Sequence, residues 1–305
     1  AMGDLARFGT GSALGRLPQY VATQVDNLIV GRWLGAEALG IYGRAYQLVA
    51  LPAQLLSMAI GQPLLSSMSL VQDQRERLLL ALRRAISGIA LLTLPAAAVM
   101  CVLAGDIVEV VLGDQWTDAV LPLRVLAVAM LFRVGEGLSD SMYKAMGAVF
   151  RGAWRAWLFA VLVITAAAIG RQWGLVGVAA GVSISYAINY VVMSQLSLSL
   201  VDMRWSAWMG GHLPALRWAL FAGGVAWGVA FVMAQWGVDS LGRLLVSLLV
   251  VFALSVLALW RFPRVFLGED GLWLFRLFRS LLPASLQARL GGGTQQRGDQ
   301  QEPTE

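Results

Sequence analysis

The sequence predicts an all-α integral membrane protein of eight transmembrane helices, and three observations carry that prediction. From Phe8 to Trp260 the chain is almost continuously apolar, broken by short charged or Gly/Pro-containing turns, giving stretches near 8–34, 41–68, 80–104, 118–147, 152–170, 174–199, 215–237 and 240–261. Each reaches or nears the ~20 apolar residues that cross roughly 30 Å of hydrocarbon. Composition agrees, because 58% hydrophobic residues, 13% charged residues and a mean hydropathy of +0.68 are far from the about 25% charge of a soluble domain. Hydrocarbon also leaves every backbone N–H and C=O to be satisfied internally, so the spans are helices or a closed barrel. These runs are too long and too uniformly apolar for barrel strands.

The first stretch carries Ser12, Arg16, Gln19, Thr23 and Asp26 at alternating four- and three-residue intervals, which stacks them along one helical face. Pro18 interrupts it and invites a bend. The second carries Arg44, Gln47, Gln54 and Ser57, with Pro52 and Pro63 as further interruptions. The third is apolar apart from Pro95 and the single cysteine, Cys101, for which packing is the simplest role. A link over 105–118 holds Asp106, Glu109, Asp114 and Asp118 without a base. The fourth stretch contains Arg133, Glu136, Asp140 and Lys144, the fifth is apolar, and the sixth contains Ser183, Tyr186, Asn189 and Tyr190. The seventh opens near the single histidine, His212, and the eighth is apolar throughout its middle.

Beyond the eighth stretch, Leu272–Leu282 alternates large apolar residues with Arg276 and Arg279, the pattern of a short helix lying in the membrane interface. From Gly291 onward Gly, Gln, Asp, Glu and Pro dominate, and such a segment lacks the apolar surface to order itself. The expected organisation is a six-helix unit over 1–200, two trailing helices over 201–262, an interfacial segment over 263–290 and a disordered cytoplasmic tail over 291–305.

Arginine placement predicts orientation. The links after the second, fourth, sixth and eighth stretches hold Arg75, Arg77, Arg83, Arg84, Arg151, Arg155, Arg204, Arg217, Arg261 and Arg264; the alternate links carry chiefly Arg32, Arg44, Arg171 and Arg243. The positive-inside rule then puts both termini in the cytoplasm. Tryptophans 33, 116, 154, 157, 173, 205, 208, 218, 236 and 260 fall near helix ends, where amphipathic rings favour the membrane boundary; Trp227 alone sits mid-span.

These features exclude several function classes. A net charge of +5 with pI near 9.9 is spread over membrane-facing links, which favours anionic lipid over nucleic acid. One cysteine and one histidine supply no metal set and no disulfide framework, so no metal or cofactor is expected. No phosphate-binding Gly-rich loop is present, and the short links leave little room for an enzyme's reactive residues.

The polar stripes point to mechanism. Ionisable groups at membrane depth cost several kcal/mol on insertion scales and usually face a bundle interior or water, so the first, second, fourth and sixth helices are expected to line a hydrated cavity. The alternative is mutual neutralisation: Arg133, Glu136, Asp140 and Lys144 have the spacing of intrahelical pairs, and Asp26 has Arg44 within reach on the next helix. Arg16 has no acid at helical spacing, which leaves snorkelling or an anionic ligand. Gly11/Gly15, Gly31/Gly35, Gly177/Gly181 and Gly224/Gly228 have the small-xxx-small spacing of close helix contacts.

The segment from Leu5 to Ser69 contains Asp26-Asn27, then Val30-Gly31-Arg32-Trp33-Leu34-Gly35, then Leu39-Gly40-Ile41-Tyr42-Gly43-Arg44-Ala45. Further on come Leu112-Gly113-Asp114-Gln115-Trp116, Ala145-Met146-Gly147-Ala148 and Trp173-Gly174-Leu175-Val176-Gly177-Val178-Ala179. In order and spacing this resembles the polysaccharide-transporter family of lipid-linked oligosaccharide flippases, within the multidrug/oligosaccharidyl-lipid/polysaccharide exporter superfamily, over about residues 5 to 200. Val30 stands where that pattern usually has Ile.

The resemblance implies a fourteen-helix fold of two lobes, of which this sequence matches the second lobe of six helices plus two trailing ones. The first lobe is then expected in a longer chain or in a partner subunit. It further implies translocation of undecaprenyl-pyrophosphate-linked oligosaccharide from the cytoplasmic to the outer leaflet of a bacterial inner membrane, by ion-coupled alternating access. On that footing Arg16, Arg44 and Arg133 are the candidates for the pyrophosphate, where arginine keeps its charge and offers a planar fork. Gln19, Gln47, Tyr186 and Asn189 are candidates for sugar hydroxyls, and Asp26, Glu136 and Asp140 for a coupling proton or sodium ion. A drug exporter of the same superfamily and a non-transporting scaffold for polysaccharide assembly are the alternatives.

Overall fold

The computed structural model describes the backbone of residues 2–70 and 74–281, and the side chains of 17–58 and 74–273 within it. Every regular element there is helical. In chain order the α-helices are α1 Met2–Trp33, α2 Ala36–Leu70, α3 Arg75–Val102, α4 Ala104–Leu112, α5 Val120–Val128, α6 Met130–Ala145, α7 Val149–Gly170, α8 Gly174–Val201, α9 Trp205–Gln235, α10 Ser240–Arg261 and α11 Pro263–Leu281. Short 3-10 turns at Asp114–Ala119 and Arg171–Trp173 join α4 to α5 and α7 to α8.

Four segments are long and apolar enough by composition to cross a membrane: Arg75–Val102, Val149–Val201, Trp205–Gln235 and Ser240–Arg261. The second of these contains the two helices α7 and α8 with the 3-10 turn between them. The polar stripes on α1, α2 and α6 lower their hydropathy, although α1 and α2 run for 32 and 35 residues, ample at 1.5 Å rise per residue.

Two expectations need correction. The stretch at 118–147 is not one helix: the chain tightens at Ala129 (ψ −5°), whose N–H bonds the Leu126 carbonyl, and this divides α5 from α6. The preceding link is not open loop either. It folds into α4, whose buried Ala104 and Val108 join the core, and the acidic side chains Glu109, Asp114 and Asp118 remain exposed.

Packing follows residue size. α7 lies on α8 and on α1, α3 on α9, and α6 on α2 and α8. The α7–α8 crossing depends on Gly170, Gly177 and Gly181, where an added Cβ would run into the facing backbone; such small residues let helices approach closely in lipid. The sequence pattern located Gly177/Gly181 correctly. Gly224 and Gly228, by contrast, face open space, and it is Gly223 that meets Ala98 on α3.

Two apolar cores result. One gathers Val30, Tyr42, Leu123, Phe159 and Val178 from α1, α2, α5, α7 and α8; the other gathers Leu82, Ala90, Met130, Leu138 and Ala215 from α3, α6 and α9. Cys101 sits half-buried at the edge of the first, its thiol toward the Arg124 carbonyl at 3.3 Å. α6 borders both cores and carries a polar row between them.

α11 departs from a helix resting freely at the interface. Its first half packs on α3 and α9. Arg83 donates from Nε and Nη2 to one Asp270 carboxylate oxygen at 3.0 and 2.8 Å, and the Arg84 guanidinium lies 3.7 Å from the centre of the Trp273 ring. Gly268 takes a positive φ of 63°, which bends the segment close to Pro214. The side chains of Arg276 and Arg279 and the tail over 291–305 lie outside the described residues.

Candidate functional site

A cavity of about 210 Å³ lies between α1, α6, α7 and α8, lined by Gln19, Arg133, Glu136, Gly137, Asp140, Tyr143, Lys144, Ala156, Asn189 and Met193. The polar members come from three helices because each presents its stripe at a three- or four-residue interval. On α6 that interval places Arg133, Glu136, Gly137, Asp140 and Lys144 down one side. The opposite side of α6 buries Val134, Leu138 and Met142 in the second core.

Glu136 is buried, and its Oε1 accepts from Gln19 Nε2 at 3.2 Å across 117 positions of sequence. Asn189 is a further hydrogen-bonding neighbour of the same carboxylate. Asp140 is shared by its own helix: Tyr143 Oη donates to one oxygen and Lys144 Nζ to the other, each at 2.5 Å. The expectation of intrahelical pairing therefore holds for Asp140 and Lys144.

Arg133 takes a different partner. Its Nη2 donates to Tyr46 Oη at 2.7 Å, and its guanidinium lies 4.5 and 4.9 Å from the ring centres of Tyr46 and Tyr186. Two aromatic walls so hold one cation, an arrangement that gains energy when little water competes. Tyr186 is itself fixed by an edge contact with Phe159, 5.0 Å between centroids.

Asp26 lies deeper, 1% exposed, and does not meet Arg44. It accepts from Tyr42 Oη and from the Asn27 backbone N–H, both at 2.9 Å. A neighbouring tyrosine on α2 supplies the hydrogen bond that a buried carboxylate needs. Arg44 is exposed, bonded to Gln47 at 3.3 Å and set over the Trp116 ring. Arg44 and Gln47 thus stand on the outer flank of α2, away from the cavity. Arg16 falls in α1, with its side chain outside the described residues.

Sequence reasoning missed four lining or supporting groups: Tyr46, Tyr143, Lys144 as a lining cation, and His212. His212 is half-buried, with Nδ1 2.8 Å from the Trp208 carbonyl and Nε2 2.9 Å from Tyr190 Oη. Because Nδ1 can only donate to a carbonyl, Nε2 must accept from the tyrosine. Tyr190 in turn fills the space beside Gly135, where any Cβ would strike its ring. A histidine seven residues into a long apolar helix gave no signal of that partner.

The arrangement brings two cations, two carboxylates and two amides around one small polar cavity, with a third carboxylate nearby. No group of three or more His, Cys, Asp or Glu that could hold a metal occurs among the described residues. The chemistry on offer is binding of charged and hydroxylated groups, and exchange of a proton or cation at a carboxylate.

Comparison with known proteins agrees. Residues 1–121 match the family model described as "Polysaccharide biosynthesis protein". The teichuronic acid biosynthesis protein TuaB of Bacillus subtilis is 23% identical over 247 residues, 81% of this chain and 51% of TuaB. The lipopolysaccharide biosynthesis protein WzxC of Escherichia coli is 27% identical over 61% of this chain and 38% of its own length. A probable low-salt glycan biosynthesis flippase, Agl15 of Haloferax volcanii, is 23% identical over 80% of this chain and 51% of its own length. Among solved structures, the lipid II flippase MurJ in an inward closed conformation superposes with a TM-score of 0.63 at 17% identity, over 82% of this chain and 53% of that one. That likeness shows the fold. The chain spans about half the length, or less, of the relatives it matches. With four segments apolar and long enough to span a bilayer, it has the make-up of a multi-pass membrane protein, and its likenesses are to polysaccharide-biosynthesis proteins and flippases.

Proposed function

We propose that this chain forms the second lobe and two trailing helices of a fourteen-helix flippase that moves an undecaprenyl-pyrophosphate-linked oligosaccharide to the outer leaflet. In this reading residues 1–200 are the lobe, 201–262 the trailing pair and 263–290 the segment that returns to the cytoplasmic interface. Both termini face the cytoplasm of a bacterial inner membrane. The missing first lobe belongs to a longer chain or to a partner subunit, since substrate in a two-lobed transporter sits between repeats that rock against each other.

The observation that carries this reading is the cavity joining Arg133, Lys144, Glu136, Asp140, Gln19 and Asn189 at membrane depth. Arg133 and Lys144 answer a pyrophosphate, with arginine supplying the fork and lysine the point charge. Gln19 and Asn189 offer amide donors and acceptors to sugar hydroxyls, with Tyr186 shaping the wall behind Arg133. Glu136 and Asp140 exchange the coupling ion, and Asp26 is a second, deeper carboxylate on the same path. Arg16 is retained for the pyrophosphate on its position in α1; Arg44 and Gln47 are assigned to the flank that meets the other lobe. The cations favour an anionic lipid over the cationic drugs of the same superfamily, and the polar cavity within the bundle favours transport over a scaffold.

The test is Glu136→Gln in the intact transporter, reading lipid-linked oligosaccharide that accumulates in the cytoplasmic leaflet. The variant keeps the amide-sized shape and the Gln19 contact but removes the exchangeable charge. Coupled export is expected to collapse and the precursor to accumulate. Export at the wild-type rate in this variant and in Gln19→Ala would end the assignment of the site.

A further inference from the structure

A second and larger cavity, about 400 Å³, lies at the opposite end of α6 from Lys144. It is bounded by the last residue of α3 (Val102), by Gly105, Asp106, Val108 and Glu109 of α4, by Gly113, Asp114 and Thr117, by Val120 and Arg124 of α5, by Ala230 and Ala234 of α9, and by Arg243 of α10. The contributions from α3, α9 and α10 come from helix ends and the rest from the short α4, α5 and the turn between them, so the cavity sits at one end of the bundle. Its volume lies within the range of small-molecule sites, about 300–1,000 Å³.

The charges divide into two sets. Arg243 is committed: its Nε and Nη2 reach Asp106 Oδ1 at 2.8 and 2.7 Å, Nη2 also meets Ser240 Oγ at 2.8 Å, and Nη1 the Val238 carbonyl at 3.3 Å. That pair ties α4 to α10 and closes the back of the cavity. Glu109, Asp114 and Arg124 are exposed and enter no ion pair among the described residues. One free cation and two free carboxylates therefore line the mouth, above a floor of Val102, Val108, Val120, Ala230 and Ala234.

The surroundings say what kind of molecule reaches this place. Along the same end of α9, Trp227, Phe231, Val232 and Trp236 are exposed, at 62%, 52%, 42% and 74%. Such a surface faces acyl chains, with Trp236 at the boundary where indoles collect. Ala230 and Ala234 of the same helix line the cavity, so the apolar surface and the charged mouth adjoin. An occupant must then carry one negative and one positive group within a few bonds of each other, and an apolar tail beneath.

We infer that this cavity binds the headgroup of a zwitterionic aminophospholipid, its phosphate on Arg124 and its primary ammonium between Glu109 and Asp114. An anionic phospholipid brings a phosphate to Arg124 but nothing for two carboxylates, and a pyrophosphate-linked lipid brings more negative charge still. A choline headgroup has the positive charge but no N–H to donate. The expected order is ethanolamine above choline above glycerol headgroups. The inference stands on this cavity alone and is independent of the flippase reading.

The experiment places the purified full-length chain in detergent and titrates phosphatidylethanolamine, phosphatidylcholine and phosphatidylglycerol of identical acyl chains, reading bound lipid by native mass spectrometry. Two carboxylate–ammonium contacts near a surface predict an ethanolamine preference over glycerol of about fivefold or more. Arg124→Gln is expected to weaken all three lipids together, whereas the double variant Glu109→Gln with Asp114→Asn removes only the ethanolamine preference. Equal or tighter binding of phosphatidylglycerol by the wild-type chain overturns the inference, as does an ethanolamine preference unchanged in the double variant. Should the variants not fold, a photoactivatable phosphatidylethanolamine on the wild-type chain decides: labelling within 102–124 and 230–243 supports the site, and labelling confined to other segments refutes it.

Discussion

Replacing Arg133 by glutamine isolates the proposed work of the central cavity. Arg133 spends one donor on Tyr46 Oη at 2.7 Å and rests between the Tyr46 and Tyr186 rings at 4.5 and 4.9 Å, with the rest of its fork toward the cavity. Glutamine can still reach a tyrosine hydroxyl but loses the charge, so the folded state gives up roughly 1.5–3 kcal/mol of charge-assisted hydrogen bonding and part of the cation–π attraction, about 0.5–2 kcal/mol. A phosphate held by the same guanidinium loses a similar 1.5–3 kcal/mol, which lowers export about ten- to hundredfold at 1.4 kcal/mol per decade. Arg133→Lys restores the charge without the fork and is expected to fall between. The assay is transfer of lipid-linked oligosaccharide to the outer leaflet by the intact transporter, normalised to folded protein in the membrane. Arg171→Gln, which removes a guanidinium lying 4.7 Å from the centre of the Trp33 ring and outside the cavity, serves as control. Export by Arg133→Gln equal to that control would refute the reasoning.

Two further outcomes test the packing that supports the site. Tyr42→Phe leaves the buried Asp26 carboxylate with the Asn27 N–H as its remaining bond, and an unsatisfied buried acceptor costs about 1–3 kcal/mol; thermal unfolding in detergent should show a clear drop, and an unchanged midpoint would remove this bond from the account. Gly135→Ala drives a Cβ into the Tyr190 ring, and overpacking typically costs about 1–3 kcal/mol, whereas Gly137→Ala meets nothing within 4 Å and should unfold like the parent.

Much of the fold was legible in the sequence because lipid leaves few choices. Apolar runs of sufficient length must be helices, so the elements at α1, α2, α3, α7, α8, α9 and α10 appear where hydropathy places them. Breaks that depend on local geometry were not legible: Ala129 divides α5 from α6 without a Pro or Gly to announce it, and α4 hides in an acidic link because its apolar side is only two or three residues wide. Of the candidate site, helical spacing grouped the polar residues of each helix, and packing then sets Gln19 beside Glu136 and Asn189, since residues on one face of a helix remain on one face wherever the helix packs. The same spacing misjudged Arg44 and Gln47, because a stripe says which residues are together and not which way the helix is turned. Tyr46, one position from that stripe, is the residue of α2 that reaches Arg133. Contacts such as His212 with Tyr190 depend on which distant helices touch, and a single sequence carries no signal of that.

The turn of α2 also bears on what the chain requires. Gln24 on α1 and Arg44, Gln47 and Gln54 on α2 are exposed, and Gln24 and Gln54 lie near the middle of their spans. In hydrocarbon each unpartnered polar group costs several kcal/mol, and among the described residues Arg44 and Gln47 meet each other and the Trp116 face. The lipid-facing sides of α9 and α10 show the contrast, with Trp227, Phe231, Leu249, Phe252 and Leu257 exposed in their place. The flank mixes these polar groups with exposed Leu28, Leu51, Leu55 and Met58, and its mid-span glutamines are better served by protein or water than by acyl chains. It adjoins the cavity through α1, which carries Gln19 toward Glu136 on one side and Gln24 outward on the other. On the proposed reading that flank is where the first lobe closes the transport path and supplies partners for Arg44, Gln47 and Gln54.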